Sequence, residues 1–88
     1  RIVATRQRTT QALETLGFTV LPSSANFIFI SHDRMKASDL YIRLRDAGIL
    51  VRHFKQPRIE NFLRVSIGTD PEMDAFITAM TEIVTDSQ

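Results

Sequence analysis

Asn61-Phe62-Leu63-Arg64-Val65-Ser66-Ile67-Gly68-Thr69 is the stretch on which the fold of this chain turns. Strand alternation puts Leu63, Val65 and Ile67 on one face, and Phe62, Arg64 and Ser66 on the other. The stretch runs into Thr69-Asp70-Pro71-Glu72, which has capping-box spacing with a proline tolerated in the first helical turn. A buried strand followed at once by a capped helix is therefore expected. In the middle of the strand stands a guanidinium, always charged, and burying it without a partner costs several kcal/mol even after relaxation. Arg64 calls for an anion. It is either a carboxylate of the same chain, such as Glu60 or Asp70, or a ligand carboxylate or phosphate gripped by the planar fork.

Moving outward, Met73, Phe76, Ile77, Met80, Ile83 and Val84 recur at helical spacing and read as the core stripe of the last helix. On the other side, residues 55 to 60 form a loop containing Pro57, and Ile49 to Phe54 read as a strand. Ser38 to Ala47 is a helix with Leu40 and Leu44 inward, ended by Gly48. His32-Asp33-Arg34 is a turn, and Ala25 to Ile30 is apolar on both faces, as in a central strand covered on each side. Phe18 to Leu21 is a short strand closed by Pro22-Ser23-Ser24. Arg1 to Leu16 is a helix ending at Gly17, with a thin stripe of Ile2, Leu13 and Leu16 (Thr9 between) that needs a neighbour to bury against. The sum is αββαββα: an α+β fold with helices packed on a small, mostly antiparallel or mixed sheet.

Eighty-eight residues make one domain with a modest core, and no linker, repeat or low-complexity tract divides it. A formal charge of +1 gives no electrostatic footprint for nucleic acid or anionic membrane. No apolar run approaches a membrane span. The lack of cysteine excludes disulfides and thiolate metal sites and fits a reducing, cytoplasmic setting. The chain opens without a methionine, on residues that enter in mid-helix, which reads as a piece of a longer polypeptide.

Arg64 leads the candidate residues. Ser66 shares its face, and the helix N-terminus at Gly68-Thr69 offers N–H groups and a dipole to an anion. Arg52 is second, with Leu50 and Phe54 on its face: on a neighbouring strand it would let two guanidiniums converge on one phosphate, although strand-end arginines are often merely solvated. Asn26 either satisfies backbone at a bend or touches a ligand. His32 and His53 stand far apart without metal-ligand spacing and read as surface or half-buried residues. Lys36 and Lys55 lie in polar stretches, without the apolar surroundings that depress an ammonium pKa, and Tyr41 reads as packing with a wet hydroxyl. No catalytic triad, carboxylate pair or glycine-rich phosphate loop can be assembled. The residues supply an anion clamp without a catalytic engine.

Pro22 to Phe27, Ala47 to Arg52 and Asn61 to Thr69, in that order, resemble the C-terminal small domain of fold-type I aminotransferases that depend on pyridoxal 5'-phosphate. Within that family the histidinol-phosphate aminotransferases are the nearest subgroup, and the resemblance covers nearly the whole chain. It implies amino transfer between histidinol phosphate and 2-oxoglutarate, with Arg64 gripping the substrate's phosphate or carboxylate, Arg52 helping with the phosphate, and Asn26 near the cleft edge. It also implies that the cofactor's lysine and phosphate cup lie in another part of the polypeptide, that the isolated chain is inactive, and that the whole enzyme is a homodimer. Threonine-phosphate decarboxylase and aromatic or other amino-acid aminotransferases share the clamp. Outside that class, a stand-alone anion-binding or dimerisation module remains open, with Phe27 and Phe29 mimicking an RNA-stacking pair.

Overall fold

The computed structural model describes residues 2–22, 24, 26–54, 56–58 and 60–86. Arg1, Ser23, Ala25, Lys55 and the side chain of Ile2, all named above, fall outside that description. The elements are α1 (Ile2–Thr15), β1 (Phe18–Pro22), β2 (Phe27–His32), α2 (Ala37–Asp46), β3 (Arg52–His53), β4 (Leu63–Ser66) and α3 (Asp70–Asp86). The αββαββα order is as expected. The sheet order is β1-β2-β4-β3, and every neighbouring pair is antiparallel.

Alternation along β4 divides the sheet as its sequence predicts. Leu63, Val65 and Ile67 are buried, together with Ile28 and Ile30 of β2. They join Leu13 of α1, Leu40 and Leu44 of α2, and Phe76 and Met80 of α3 in one core cluster. Each large apolar side chain so buried stabilises the fold by about 1.5–3 kcal/mol. The opposite face is different. Phe27, Phe29, Phe62 and Arg64 are half-buried there, and Ser66 is exposed. The expectation that β2 is covered on both sides is therefore corrected: the buried stripes of the helices all meet the Ile28 and Ile30 side. An antiparallel sheet tolerates one uncovered face.

The thin stripe of α1 works because the helix wedges between neighbours. Thr5 and Thr9 are buried beside Leu13, and the Thr9 hydroxyl donates to the Thr5 carbonyl at 2.8 Å. The Thr5 hydroxyl donates to Asp70 Oδ1 at 2.8 Å, and Arg8 pairs with Asp70 at 3.2 Å and Asp74 at 2.7 Å. Those hydrogen bonds, first to Asp74 and then to Asp70, raise the Arg8 pKa above its ordinary value. Residues on α1 and the first turn of α3 are thereby tied across the molecule.

The third strand is shorter than the expected Ile49 to Phe54. Gly48, at φ +84°, ends α2 in a Schellman motif: Gly48 N–H donates to the Arg45 carbonyl at 2.9 Å, and Ile49 N–H to the Leu44 carbonyl at 2.8 Å. Ile49 closes the helix and packs on the core, while Leu50 is 81% exposed. Only Arg52 and His53 remain to pair with β4.

Candidate functional site

Register brings the two candidate arginines together. Arg52 lies directly opposite Arg64 across the β3–β4 pair, and Phe29 lies opposite Arg64 on the β2 side. Directly opposed residues project from the same face of a sheet. The Arg64 guanidinium carbon sits 4.5 Å from the Phe27 ring centroid and 5.4 Å from that of Phe54. Arg52 lies 5.7 Å from the same Phe54 ring. The open face thus carries two cations held among aromatic rings.

No carboxylate answers Arg64 among the described residues. Asp70 is engaged by Thr5 and Arg8. Glu60 contributes its backbone carbonyl to His53 Nε2 at 2.7 Å. Neither intrachain partner expected for a structural arginine pairs with it. Arg64 Nε is buried and has no hydrogen-bond partner among the described residues. With that edge turned inward, the terminal Nη pair is the part of the fork left to meet an oxyanion. Two like charges directly opposite on paired strands repel, so the arrangement is locally unfavourable for the fold. Chemically it suits a carboxylate or, better, a doubly charged phosphate.

The other candidates fall elsewhere. Ser66 shares the face and is exposed, opposite Phe27. Asn26 precedes β2 instead of beginning it. Its N–H donates to Ser24 Oγ at 3.2 Å, and its carbonyl accepts from Ile67 N–H at 2.8 Å. Its backbone closes the end of the sheet, and its exposed side chain has no described partner in these contacts.

The helix N-terminus after Gly68 is not an open anion cradle. Glu72 Oε1 accepts from Thr69 N–H at 2.8 Å and from its hydroxyl at 3.0 Å, while Thr69 Oγ1 accepts from Glu72 N–H at 3.3 Å. The capping box supplies its own carboxylate, whose pKa is lowered by the Thr69 backbone N–H and then the hydroxyl. A ligand anion would meet a negative charge already in place.

His32 departs from the surface reading. It is buried, edge-on to Phe18 with centroids 4.9 Å apart. Its Nδ1 accepts from Arg34 N–H at 3.2 Å, which leaves Nε2–H to donate to the Leu16 carbonyl at 3.2 Å. Both ring nitrogens are satisfied by backbone, so His32 is structural. His53 is half-buried with its ring 6.2 Å from that of Tyr41, itself packed against the core. Among the described residues no three His, Cys, Asp or Glu side chains gather as a metal site. No described helix is long and apolar enough to cross a membrane.

Alternation along the third strand already puts Phe54 on the face of Arg52. Phe54 stands where a strand ends and a polar loop begins, and only the register reveals that its ring touches both arginines. The single local signal was its two-residue spacing from Arg52.

Among the described residues no carboxylate pairs with either arginine of this face. Residues 1–80 match the family described as aminotransferase class I and II, and the chain belongs to it. It is 51% identical over 84 residues to a histidinol-phosphate aminotransferase of Brachyspira hyodysenteriae, covering 96% of this chain and 24% of that one. The chain thus spans about a quarter of the length of the curated relatives it matches. The histidinol-phosphate aminotransferase of Sinorhizobium meliloti, solved in complex with pyridoxal-5'-phosphate, superposes with a TM-score of 0.85 at 28% identity, over 99% of this chain and 24% of that one. A decarboxylase from Sulfurospirillum multivorans superposes at 0.79 and 27% identity, over 92% and 24%.

The residues described here do not fit the cofactor that the Sinorhizobium enzyme holds. Of the two lysines in the sequence, Lys36 is exposed before α2 and Lys55 lies outside the description. Lys36 therefore offers no buried amine for a Schiff base.

Proposed function

We propose that this chain is the C-terminal, substrate-gripping domain of a larger aminotransferase that moves an amino group between histidinol phosphate and 2-oxoglutarate. Arg64 is the principal ligand of the substrate's anionic group and Arg52 its helper at the phosphate. The rest of the polypeptide supplies the lysine and the cup for pyridoxal 5'-phosphate, and the isolated chain is inactive. The whole enzyme works in the cytoplasm as a homodimer. One observation carries the reading: Arg64 faces Arg52 across the ladder while no described carboxylate pairs with it. A fork without a partner of its own accepts a phosphate and a carboxylate in alternate half-reactions, as such an enzyme requires. Asn26 is left as a cleft-edge residue acting through its exposed side chain.

Arg64→Ala in the full-length enzyme tests this. Removing one partner of a desolvated charge pair costs about 2–5 kcal/mol, or about 30- to 4,000-fold in kcat/KM for the anionic substrates. The visible absorbance of bound cofactor should be unchanged. Loss of the cofactor, or full activity, rejects the role. The likeness to the decarboxylase favours a second reading, a decarboxylase of a phosphorylated amino acid using the same clamp. Release of carbon dioxide, in place of amino transfer, distinguishes it. Family membership leaves the stand-alone binding or dimerisation module without comparable support.

A further inference from the structure

We propose that Phe54 is a positioning residue whose ring, shared by Arg52 and Arg64, sets their spacing so that both forks converge on one oxyanion. The inference rests on the reading of those two arginines as substrate ligands and adds a specificity element to it.

Two guanidiniums on directly opposed positions repel, and the rotamer entropy of each long side chain favours splaying apart. A flat π face within about 6 Å of both attracts each cation without neutralising it. Phe54 meets that condition for Arg64 at 5.4 Å and for Arg52 at 5.7 Å. A carboxylate bridging the same pair would hold them equally well but would occupy the forks. An aromatic ring holds them and leaves their hydrogens free.

The geometry is asymmetric. Arg64 lies over a second ring, Phe27, at 4.5 Å, and its Nε edge is buried. Arg52 is exposed, and Phe54 is the one ring recorded against it among the described residues. His53, on the helix side, rests near Tyr41 and is tied through Nε2 to the Glu60 carbonyl at 2.7 Å. Loss of the ring therefore releases Arg52 while Arg64 keeps Phe27. A carboxylate, satisfied by one bidentate fork, should notice little, whereas a phosphate drawing on both forks should notice more.

The test is steady-state kinetics of the full-length enzyme carrying Phe54→Leu, Phe54→Met or Phe54→Tyr, with Arg64→Ala alongside. Phe54→Leu and Phe54→Met should raise KM for histidinol phosphate about 3- to 10-fold, as expected for freeing one ordered side chain. They should change KM for glutamate less than about 2-fold and leave kcat and the cofactor absorbance unchanged. Phe54→Tyr, which keeps the π face, should restore the phosphate KM. Equal effects on both substrates, or failure of Phe54→Tyr to rescue, overturn the inference. So does unfolding of both Leu and Met variants, because a positioning ring is not required for folding. If Arg64→Ala weakens anion binding while Phe54→Leu does nothing, only the role of Phe54 falls. If Arg64→Ala does nothing, the clamp itself falls.

Discussion

Arg64→Met in the 88-residue polypeptide should leave stability nearly unchanged or raise it, the opposite of what a structural arginine would do. The buried Nε has no described partner, and a buried donor left unsatisfied costs about 1–3 kcal/mol that methionine would recover. Relief of like-charge opposition with Arg52 adds up to about 1 kcal/mol. Against this, contacts with Phe27 and Phe54 are lost, at about 0.5–1 kcal/mol each. The methionine chain replaces the stem's apolar contacts and makes its own sulfur–ring contact. The balance lies between a loss of about 1 kcal/mol and a gain of about 3 kcal/mol. Breaking a buried ion pair would instead cost about 3–5 kcal/mol. Urea unfolding followed by far-UV circular dichroism resolves the two, provided the m-value is unchanged. In a chain of this size each kcal/mol moves Tm by about 4–8 °C. A loss of about 3 kcal/mol or more would show that Arg64 has a structural anion and no open fork.

The capping box gives a pH signature. The Glu72 carboxyl is held below its ordinary range when folded, so its contribution is complete above the unfolded value and lost as pH falls through the lower folded one. Glu72→Gln should flatten the acid limb of stability, measured by urea melts between about pH 7 and 3, and an unaltered limb would contradict this. The two positive-φ glycines should differ. Gly17→Ala and Gly48→Ala each incur left-handed strain of about 1–2 kcal/mol, but only at Gly17 would a Cβ also meet a side-chain atom, His32 Nε2 at 3.0 Å. Thermal melts should rank Gly17→Ala as the more damaging, and the reverse order would contradict the His32 contact.

What could be read from the chain was what is local. The alternation of Leu63, Val65 and Ile67 and the Thr69–Glu72 box appear in the structure as their spacing dictates, because period and capping depend on near neighbours. Ile49 misled for a local reason: a β-branched residue after Gly48 suits a strand and equally suits the close of a Schellman motif. The open face was hidden because Phe27 and Phe29 have the composition of core residues, and only the helices' placement decides which side of β2 is covered. That Arg52 and Arg64 lie on neighbouring strands is legible in the residues. Their direct opposition depends on a register that the intervening loop sets and that no spacing in the sequence encodes. The reach of the Phe54 ring from Arg52 to Arg64 depends on the same register. The start of α3 offers no open anion cradle, since the glutamate that completes the cap also fills it.

The central claim, that Arg64 and Arg52 together hold the substrate's anion, is tested most directly by a crystal structure of the full-length enzyme with histidinol phosphate bound. Phosphate oxygens should lie about 2.7–2.9 Å from the Nη atoms of Arg64, with Arg52 completing the grip. A phosphate held elsewhere, with the Arg64 fork paired to a protein carboxylate, would contradict it.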